Sequence, residues 1–167
     1  MRRFFVLFAV VANLVLADAI TKELAAGYLK GSAAISVIPG LFNLAYVENR
    51  GCAWGLFQGQ VWPLAVFGLV ALAFLIWKRK SVFGEWETGG GRSGWACAAA
   101  VAEPLLYAGI IGNVIDRLFR GYVVDMLDFH WGVRHFPCFN VADSLICIAV
   151  GLLLLASFEK KVPKRGT

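Results

Sequence analysis

Four long apolar segments dominate the chain and limit what it can fold into. They cover residues 4 to about 25, 61 to 77, about 95 to 115, and 141 to 158. Each comes close to the ~20 residues with which an α-helix crosses the ~30 Å hydrocarbon core of a bilayer. The segments therefore predict four transmembrane helices, and the connections between them leave no room for a second domain.

The composition favours the same class of protein. The 167 residues are 59% hydrophobic and only 16% charged, with a mean hydropathy of +0.69. A soluble domain of ordinary composition is far less apolar. We therefore predict an all-α integral membrane protein in which residues 1–167 form a single four-span domain.

The basic residues indicate how the spans are oriented. The net charge of +5 could suggest a nucleic-acid partner, but ten of the sixteen Lys and Arg residues flank one side of the spans. These ten are Arg2, Arg3, Lys78, Arg79, Lys80, Arg92, Lys160, Lys161, Lys164 and Arg165. The positive-inside rule places this side in the cytoplasm. Both termini are then cytoplasmic, and we predict no nucleic-acid binding.

The first apolar segment also fits a cleavable signal peptide. Arg2 and Arg3 precede an apolar stretch that ends in Ala17-Asp18-Ala19, an A-x-A type of cleavage pattern. Against this alternative, good helix formers continue beyond Asp18, and Lys22 lies four residues after it, where opposite charges on a helix can pair. A retained span is the favoured interpretation. Taken alone, the Asp18 and Lys22 pair predicts no more than a neutralised helix end.

Two of the outer connections have the pattern of β-strands. Residues 41–48 and 122–129 are rich in β-branched and aromatic residues, and turn residues bound them. We therefore predict a small β-sheet and loop region on the outer face. Residues 22–38 fit a short interfacial helix or a loop, and the glycine-rich residues 88–94 predict a flexible turn between the second and third spans.

Five aspartates lie at or beyond the outer ends of the spans. They are Asp18, Asp116, Asp125, Asp128 and Asp143. Carboxylates are costly in lipid, so their collection at one face indicates that the protein uses them. Asp143 lies in the first turn of the fourth span, where the helix dipole favours an acid and Asn140 is placed to cap the helix. Asp116 ends the third span and needs a cation, for which Arg117, Lys22 and Arg50 are candidates.

A pair of these aspartates could hydrolyse an amide. Asp125 and Asp128 have almost only apolar neighbours, so desolvation is expected to raise the pKa of at least one of them. A protonated acid beside an ionised one supplies both the general acid and the general base of amide hydrolysis. Five aspartates allow ten pairings, and the residue pattern alone leaves the pair open.

The remaining polar residues predict less chemistry. His130 and His135 are too few and too irregularly spaced for a zinc motif, so we predict no metal. Glu103, near the middle of the third span, is either protonated, paired inside the bundle or lining water, and a neutral, hydrogen-bonded acid is the favoured interpretation. Cys52 and Cys138 lie in outer segments, where a disulfide could form, but two free thiols are favoured.

The motifs resemble those of bacterial lipoprotein signal peptidase, also called signal peptidase II. Five of them occur along nearly the whole chain: Asp18-x-x-Thr21-Lys22, Asn49-Arg50-Gly51-Cys52-Ala53-Trp54, Gly109-x-x-Gly112-Asn113-x-x-Asp116-Arg117, Val123-Val124-Asp125 with Asp128-Phe129, and Phe139-Asn140-x-Ala142-Asp143. One such motif would be weak evidence, whereas five in order are highly specific. The resemblance implies an aspartyl endopeptidase that removes the signal peptide from diacylglyceryl-modified prolipoproteins, cutting before the lipid-modified cysteine.

The resemblance also implies roles for individual residues. The catalytic pair maps onto Asp125 and Asp143. The positions that match the family's polar binding residues are Asn49, Gly51, Asn113, Arg117 and Asn140, and those that brace the helix ends are Asp18, Lys22 and Asp116. No cofactor is implied. The expected partners are the lipid-modified substrate and membrane lipid, and the expected location is the bacterial cytoplasmic (inner) membrane, where a monomer has its active site at the periplasmic face.

Two other classes of function remain open from the residues. A small ion-conducting or carrier subunit could use Glu103 and the Asp18 and Lys22 pair as relay groups, although such a pathway normally places ionisable groups through the depth of several spans. A membrane scaffold without catalytic activity could use the outer acids only as caps and ion-pair partners.

Overall fold

The computed structural model describes residues 1–84 and 94–159 of the chain. Its helices are α1 (Arg2–Tyr28), α2 (Val61–Trp77), α3 (Arg79–Phe83), α4 (Gly94–Phe119) and α5 (Val141–Glu159). Its strands are β1 (Ile35–Ile38), β2 (Phe42–Asn49), β3 (Val123–Trp131) and β4 (Arg134–His135). The predicted turn at residues 88–94 lies outside the described residues, except for Gly94, which begins α4. So do five of the basic residues used for the orientation, namely Arg92, Lys160, Lys161, Lys164 and Arg165.

All four predicted apolar helices are present, as α1, α2, α4 and α5. By length and apolar composition, α1 and residues Cys97–Phe119 of α4 are able to cross a membrane, whereas Val61–Trp77 and Val141–Ser157 are shorter apolar helices. The molecule is therefore mostly helical, with a small antiparallel sheet inserted between the helices in the sequence.

The distribution of side chains is inverted relative to that of a soluble protein. Large apolar side chains point outward from the helices, among them Phe5, Phe8, Phe67, Val70 and Leu155, each at least 61% exposed. The buried side chains include seven polar or charged ones: Asp18, Lys22, Glu103, Asn113, Asp116, Asp125 and Asn140. Exposed apolar surface of this extent is stable against hydrocarbon and costly in water. Paired polar groups inside such a bundle are characteristic of a functional site.

Helix α4 forms the centre of the bundle and packs against α1, α2 and α5. Two glycines permit its close approach to neighbouring chain segments. A Cβ atom at Gly109 would lie 2.5 Å from the carbonyl oxygen of Ala142, and one at Gly112 would lie 2.6 Å from Oδ2 of Asp18. Small residues at helix contacts allow backbones to approach within membranes. This packing brings the acidic ends of α1 and α5 to the same end of α4.

The four strands form an antiparallel sheet in the order β1-β2-β3-β4. Val47 on β2 lies opposite Asp125 on β3. Both predicted strand regions are confirmed, with boundaries shifted by one or two residues. The hydrophobic contact of Val124 and Met126 with Ala25 and Leu29 holds the sheet against the end of α1.

The interfacial helix that residues 22–38 could have formed is absent from the structure. Helix α1 instead continues to Tyr28, and Ile35–Ile38 forms the edge strand β1. Pairing with β2 provides hydrogen-bond partners for the backbone N–H and C=O groups of this segment, which a separate helical turn would have had to pair with one another. The β-branched side chains of this segment also favour an extended backbone.

Candidate active site

Asp125 lies on the buried part of strand β3, and its side chain is only 1% exposed. Its neighbours Val123, Val124 and Met126 are buried as well, which agrees with the expectation from its apolar sequence context. The end of α1 packs against this part of the strand. A carboxyl group is therefore held where water has little access.

Asp143 lies in the first turn of α5, as predicted. Its backbone N–H donates to Oδ1 of Asn140 at 2.9 Å, and the backbone N–H of Asn140 donates to Oδ2 of Asp143 at 3.3 Å. This reciprocal arrangement has the form of a capping box and confirms the predicted cap. It holds the Asp143 carboxylate at the positive end of the helix dipole, where an ionised acid is favoured.

Two asparagine amides connect Asp125 with Asp143. The Nδ2 group of Asn140 donates to Oδ1 of Asp125 at 2.7 Å, and Nδ2 of Asn113 donates to Oδ1 of Asp143 at 2.7 Å. Asn140 also donates to Oδ1 of Asn113 at 3.2 Å. Strand β3, helix α4 and the start of α5 therefore converge on one polar cluster. We call Asp125 and Asp143 the dyad.

Asn49 holds the other oxygen of Asp125. Its Nδ2 group donates to Oδ2 at 2.9 Å, and its Oδ1 accepts the backbone N–H of Gly51 at 2.9 Å. The carbonyl oxygen of Gly51 accepts Nη2 of Arg117 at 2.9 Å. Gly51 has no space for a side chain, because a Cβ atom there would lie 2.5 Å from the carbonyl oxygen of Leu56.

All five predicted binding residues thus lie in or beside the dyad cluster. Asn49, Asn113 and Asn140 contact the carboxylates directly, whereas Gly51 and Arg117 act on the loop that carries Asn49. Arg117 donates in addition to the carbonyl oxygen of Asn113 at 3.3 Å. Contact of these residues with a substrate stays a prediction.

The three predicted support residues form a buried ion cluster that adjoins the dyad cluster through Asn113. Nζ of Lys22 lies 2.8 Å from Oδ2 of Asp18 and 3.0 Å from Oδ2 of Asp116, and it donates to Oδ1 of Asn113 at 3.2 Å. Asp18 accepts the backbone N–H of Ala142 at 2.8 Å. The cluster therefore ties the end of α1 to α4 and to the first turn of α5.

Among the described residues, two cations pair with Asp116, and only one of them, Lys22, was among the candidates from the sequence. Of the three candidates, Lys22 pairs with it, while Arg117 and Arg50 make their described contacts elsewhere. Arg120 is the second partner, with Nε 2.9 Å from Oδ1 of Asp116. The sequence interpretation missed Arg120, although its spacing of four residues from Asp116 on a helix could have indicated the pair.

Asp128 is the aspartate that the sequence pattern could not separate from Asp125. It accepts Nδ2 of Asn43 at 3.1 Å and lies 2.7 Å from Nδ1 of His135. Three residues along a strand reverse the side-chain direction, so Asp125 and Asp128 face opposite sides of β3. Partial burial raises the pKa of Asp128, but the hydrogen bonds from His135 and Asn43 outweigh it and lower the pKa below its ordinary value.

The dyad carboxyls differ in environment. Burial, followed by the negative charge of Asp143, raises the pKa of Asp125 from 3.8 to about 7. The hydrogen bonds from Asn49 and Asn140 and the charge of Lys22 oppose this shift without cancelling it. Asp125 is therefore suited to hold a proton near neutral pH, and its partner Asp143 lies at the N-terminus of α5.

An apolar cavity of about 390 Å³ opens beside the dyad. Its lining includes Asp143, Asn113 and Arg117, together with apolar side chains to which the sequence assigned no role: Val123, Phe136, Pro137, Phe139 and Ile146. A smaller cavity of about 170 Å³ includes Asp125 in its lining. After β3 the chain reverses direction and brings residues 136–139 to the site. The hydrophobic periodicity of the sequence does not reveal this reversal. A substrate with both an amide and a large apolar group matches these surroundings.

Cys52 and Cys138 line both of these cavities. Both are free thiols, as predicted. Across the two described ranges, no three His, Cys, Asp or Glu side chains converge in an arrangement that could hold a metal ion.

Glu103 lies in α4 and is fully buried. The guanidinium of Arg79 donates to both of its oxygens, through Nε to Oε1 and through Nη2 to Oε2 at 3.0 Å. Of the alternatives open for this acid, the structure therefore shows pairing inside the bundle. Helix α3 follows directly after α2 and places Arg79 against α4, where a bidentate pair stabilises the carboxylate.

Comparison with known proteins places this chain in a family. The model of the family described as "Signal peptidase (SPase) II" matches residues 10–159. The chain is 40% identical to the lipoprotein signal peptidase of Syntrophotalea carbinolica, over 93% of this chain and 92% of the relative. It is 38% identical to that of Shewanella loihica, over 94% and 88%.

Solved structures agree with the sequence relatives. One bacterial membrane enzyme, solved by the in meso method at 2.3 Å resolution, superposes with a TM-score of 0.72 at 29% identity, covering 97% of this chain and 94% of its own. Another, solved at 1.9 Å, gives a TM-score of 0.74 at 30% identity, covering 93% and 94%. The resemblance seen in the five motifs is thereby confirmed, and the chain belongs to the signal peptidase II family.

Proposed function

We propose that Asp125 and Asp143 are the catalytic residues of a lipoprotein signal peptidase. The family removes signal peptides from prolipoproteins, and in this chain the substrate is proposed to be a diacylglyceryl-modified precursor that is cut just before its lipid-modified cysteine. The observation that carries the assignment is a pair of carboxyl groups connected by the amides of Asn113 and Asn140 beside an apolar cavity.

The proposed placement has α1, α2, α4 and α5 crossing the bacterial inner membrane as one domain, residues 1–167. Both termini lie in the cytoplasm, the sheet and dyad lie at the periplasmic face, and the chain acts as a monomer. The exposed apolar side chains on the helices support this placement, as does the excess of basic residues on one side. Acids at the outer boundary have access to water, which mid-membrane acids lack.

The chemistry follows from the difference between the two carboxyls. Ionised Asp143 takes a proton from a water molecule as the water oxygen attacks the scissile carbonyl carbon. Protonated Asp125 donates its proton to the carbonyl oxygen, which gives a tetrahedral diol. The C–N bond then breaks, the proton on Asp143 passes to the leaving nitrogen, and a diol hydroxyl returns its proton to Asp125. The dyad recovers its starting state, and no cofactor is consumed.

The surrounding polar residues have two proposed tasks. Asn49, Gly51, Asn113, Arg117 and Asn140 orient the dyad and offer hydrogen bonds to the substrate backbone. The ion cluster of Asp18, Lys22 and Asp116 keeps the ends of α1 and α4 and the start of α5 in register. The apolar side of the larger cavity takes the lipid chains, which enter laterally between helices.

The alternative functions have weaker support. Glu103 would be needed as a central relay group in an ion pathway, but it is engaged by Arg79. A scaffold would have no use for a carboxyl held in protonated form near neutral pH beside a cavity.

Purified full-length chain is expected to cleave a synthetic diacylglyceryl-modified precursor in detergent or in vesicles. Mass spectrometry should locate the cut immediately before the modified cysteine. The matched control is the same peptide with an unmodified cysteine, for which we expect little or no cleavage because the apolar cavity is left without its ligand. Equal cleavage of both peptides, or a cut elsewhere, would refute the proposed substrate.

The activity is expected to fall as the pH rises through about 7. Asp125 must be protonated at the start of the reaction, and its pKa is raised to about 7 by burial and by Asp143. The log of kcat/KM measured between pH 5 and 9 should therefore show a descending limb centred near that value. A flat profile over this interval would contradict the assignment of Asp125 as the acid.

The same proton affects stability. The folded protein keeps the proton of Asp125 up to about pH 7, whereas the ordinary pKa of 3.8 applies in the unfolded chain. The contribution of this group is therefore fully present below the unfolded value and is lost as the pH rises toward 7. In Asp125→Asn this part of the pH dependence of the melting temperature should disappear.

A further inference from the structure

Two histidines lie side by side near the tip of the sheet, and they are the only histidines in the sequence. Strands β3 and β4 are joined by the two-residue loop Gly132-Val133. Gly132 has a positive φ of 59°, which a tight hairpin of this length requires. The loop fixes the register of the two strands, so His130 on β3 lies directly opposite His135 on β4.

The backbone brings the two imidazole rings close together. The backbone N–H of Phe136 donates to the carbonyl oxygen of Phe129 at 2.8 Å, and such pairs alternate along an antiparallel ladder with pairs that are not hydrogen-bonded. The adjacent pair, His130 and His135, is therefore of the second kind, in which opposite side chains are closest. The ring centres lie 5.0 Å apart. Two imidazoles on one tetrahedral zinc ion have their centres roughly 5 Å apart, given Zn–N bonds of ~2.0–2.1 Å.

Hydrogen bonds leave the same nitrogen free on both rings. Nδ1 of His135 lies 2.7 Å from Oδ1 of Asp128, and Nδ1 of His130 lies 3.2 Å from the carbonyl oxygen of Gly132. A carboxylate and a carbonyl oxygen only accept, so each Nδ1 donates and each Nε2 of the neutral ring carries a lone pair. Nε2 of His130 is buried, and none of the described residues hydrogen-bonds to it. A histidine that binds a metal has the same arrangement, with its other ring nitrogen held by an oxygen.

We propose that His130 and His135 bind one divalent transition-metal ion, such as Zn²⁺ or Cu²⁺, through their Nε2 atoms. Imidazole nitrogen suits these ions, whereas Mg²⁺ and Ca²⁺ prefer oxygen ligands. Asp128 orients the ring of His135 from outside the coordination sphere. Water fills the remaining positions, so the ion is held more weakly than in a four-ligand site. The sequence expectation of no metal rested on the absence of a zinc motif, which a site with two histidines does not need.

The exposure of His135 gives an ion access to the pair. Its side chain is 53% exposed, and together with Asp128 it lines an open cavity of about 510 Å³. The two rings are stacked within 17° of parallel, and the lone pairs of stacked rings do not converge on one point. Ion binding therefore requires rotation of the His135 side chain, which its exposure permits, so that its Nε2 approaches the ion on Nε2 of His130.

The histidine pair is separate from the dyad. Asp128 and His130 are two residues apart on β3 and share one side of the strand, whereas Asp125 faces the other side. An ion on the pair therefore takes no part in the proton transfers of the dyad. It would fasten β4 to β3, and the chain continues from β4 into residues 136–139, which line the catalytic cavity.

The test is zinc binding by the full-length chain, purified in detergent without a histidine tag, stripped of metal with EDTA and then dialysed. Isothermal titration calorimetry with ZnCl₂ should show one bound ion per chain, and MgCl₂ at the same concentrations should give no measurable binding. His135→Gln and His130→Gln should each lose at least roughly tenfold of the zinc affinity. Asp128→Asn should lose roughly tenfold, as is typical when the residue that orients a ligand is removed.

A matched control separates the histidines from the thiols, which also bind zinc. Cys138 lines the same cavity as His135, so Cys52→Ser/Cys138→Ser should keep the zinc affinity within about twofold of wild type. Electron paramagnetic resonance of the Cu²⁺-loaded chain gives a second readout, because nitrogen ligands split the copper signal. The splitting should persist in the cysteine variant and be lost in His135→Gln. Circular dichroism and melting temperature identify any variant that fails to fold.

Three results would overturn the metal site: unchanged zinc affinity in His135→Gln, loss of zinc binding in the cysteine variant, or equal binding of Mg²⁺. The cleavage assay separates the site from the proposed function, because cleavage of the lipid-modified precursor should continue in EDTA. Wild-type chain that cleaves without binding zinc contradicts the metal site alone. Wild-type chain that binds zinc through the histidines without cleaving contradicts the peptidase alone.

Discussion

Replacing either dyad carboxyl by an amide, as Asp125→Asn or Asp143→Asn, is expected to lower kcat/KM for the diacylglyceryl-modified precursor by ~10²–10⁴-fold. A positioned general acid or base contributes about this much to the rate. Asparagine has nearly the same shape as aspartate but can neither accept the proton of water nor donate one to a carbonyl oxygen. The measurement is single-turnover cleavage in detergent, with the amount of folded enzyme determined independently.

Asp128→Asn provides the matched control for this loss. Asp128 lies on the same strand as Asp125, three residues further on, but faces the other side and hydrogen-bonds to Asn43 and His135. The same chemical change should leave cleavage within a few-fold of wild type. Turnover by a dyad variant above one hundredth of the wild-type rate, or an equal loss in Asp128→Asn, would remove the basis for naming this pair.

The two dyad variants should differ in stability. Asp143→Asn removes a charge from the first turn of α5 and weakens the reciprocal cap with Asn140, for which a cost of about 0.5–2 kcal/mol is typical. Asp125→Asn removes a carboxyl whose ionised form is disfavoured by burial. We therefore expect the melting temperature to fall for Asp143→Asn and to rise or stay unchanged for Asp125→Asn above pH 7. Loss of activity in both variants, with a loss of stability only in Asp143→Asn, separates catalysis from folding.

Much of the fold could be predicted because the dominant physical constraint is local. An apolar run of nearly membrane-spanning length identifies a helix whatever its neighbours are, and the predicted segment 61–77 coincides with α2. Strand β3 was recognisable from its β-branched and aromatic residues. Strand β1 was not, since four residues at a sheet edge owe their conformation to pairing with β2.

The composition of the site could be predicted only in part. The five acids were visible as costly groups at span ends, but the selection of Asp125 over Asp128 depends on which side of β3 faces the helices. That information belongs to the tertiary fold. The pairing of Glu103 with Arg79 was missed for the same kind of reason. The two residues are 24 positions apart, and the connection between α3 and α4 lies between them. The family resemblance points to Asp125 and Asp143 by a different route, from matched motifs.

Loss of the buried cation, Lys22→Met, is expected to destabilise the folded protein more than either dyad substitution. Lys22 is 1% exposed, and its Nζ lies 2.8 Å from Asp18 and 3.0 Å from Asp116. Methionine fills similar space but leaves two buried carboxylates facing each other with one cation fewer. Removing one partner of a buried ion pair typically costs about 3–5 kcal/mol. We expect a markedly lower melting temperature in detergent and a lower yield of folded protein.

Two comparisons determine whether charge, and not packing, causes this loss. Lys30→Met removes the lysine of an ion pair with Glu48, and the Lys30 side chain is 55% exposed. An exposed pair of this kind contributes only ~0–1 kcal/mol to stability. The triple variant Lys22→Met/Asp18→Asn/Asp116→Asn neutralises the acids that Lys22→Met leaves unpaired, so it should regain part of the lost stability. A triple variant less stable than Lys22→Met would show that the acids stabilise the bundle through contacts other than Lys22, such as those of Asp18 with Ala142 and of Asp116 with Arg120. The ion cluster would then be a set of separate braces, and the lysine would not be its centre.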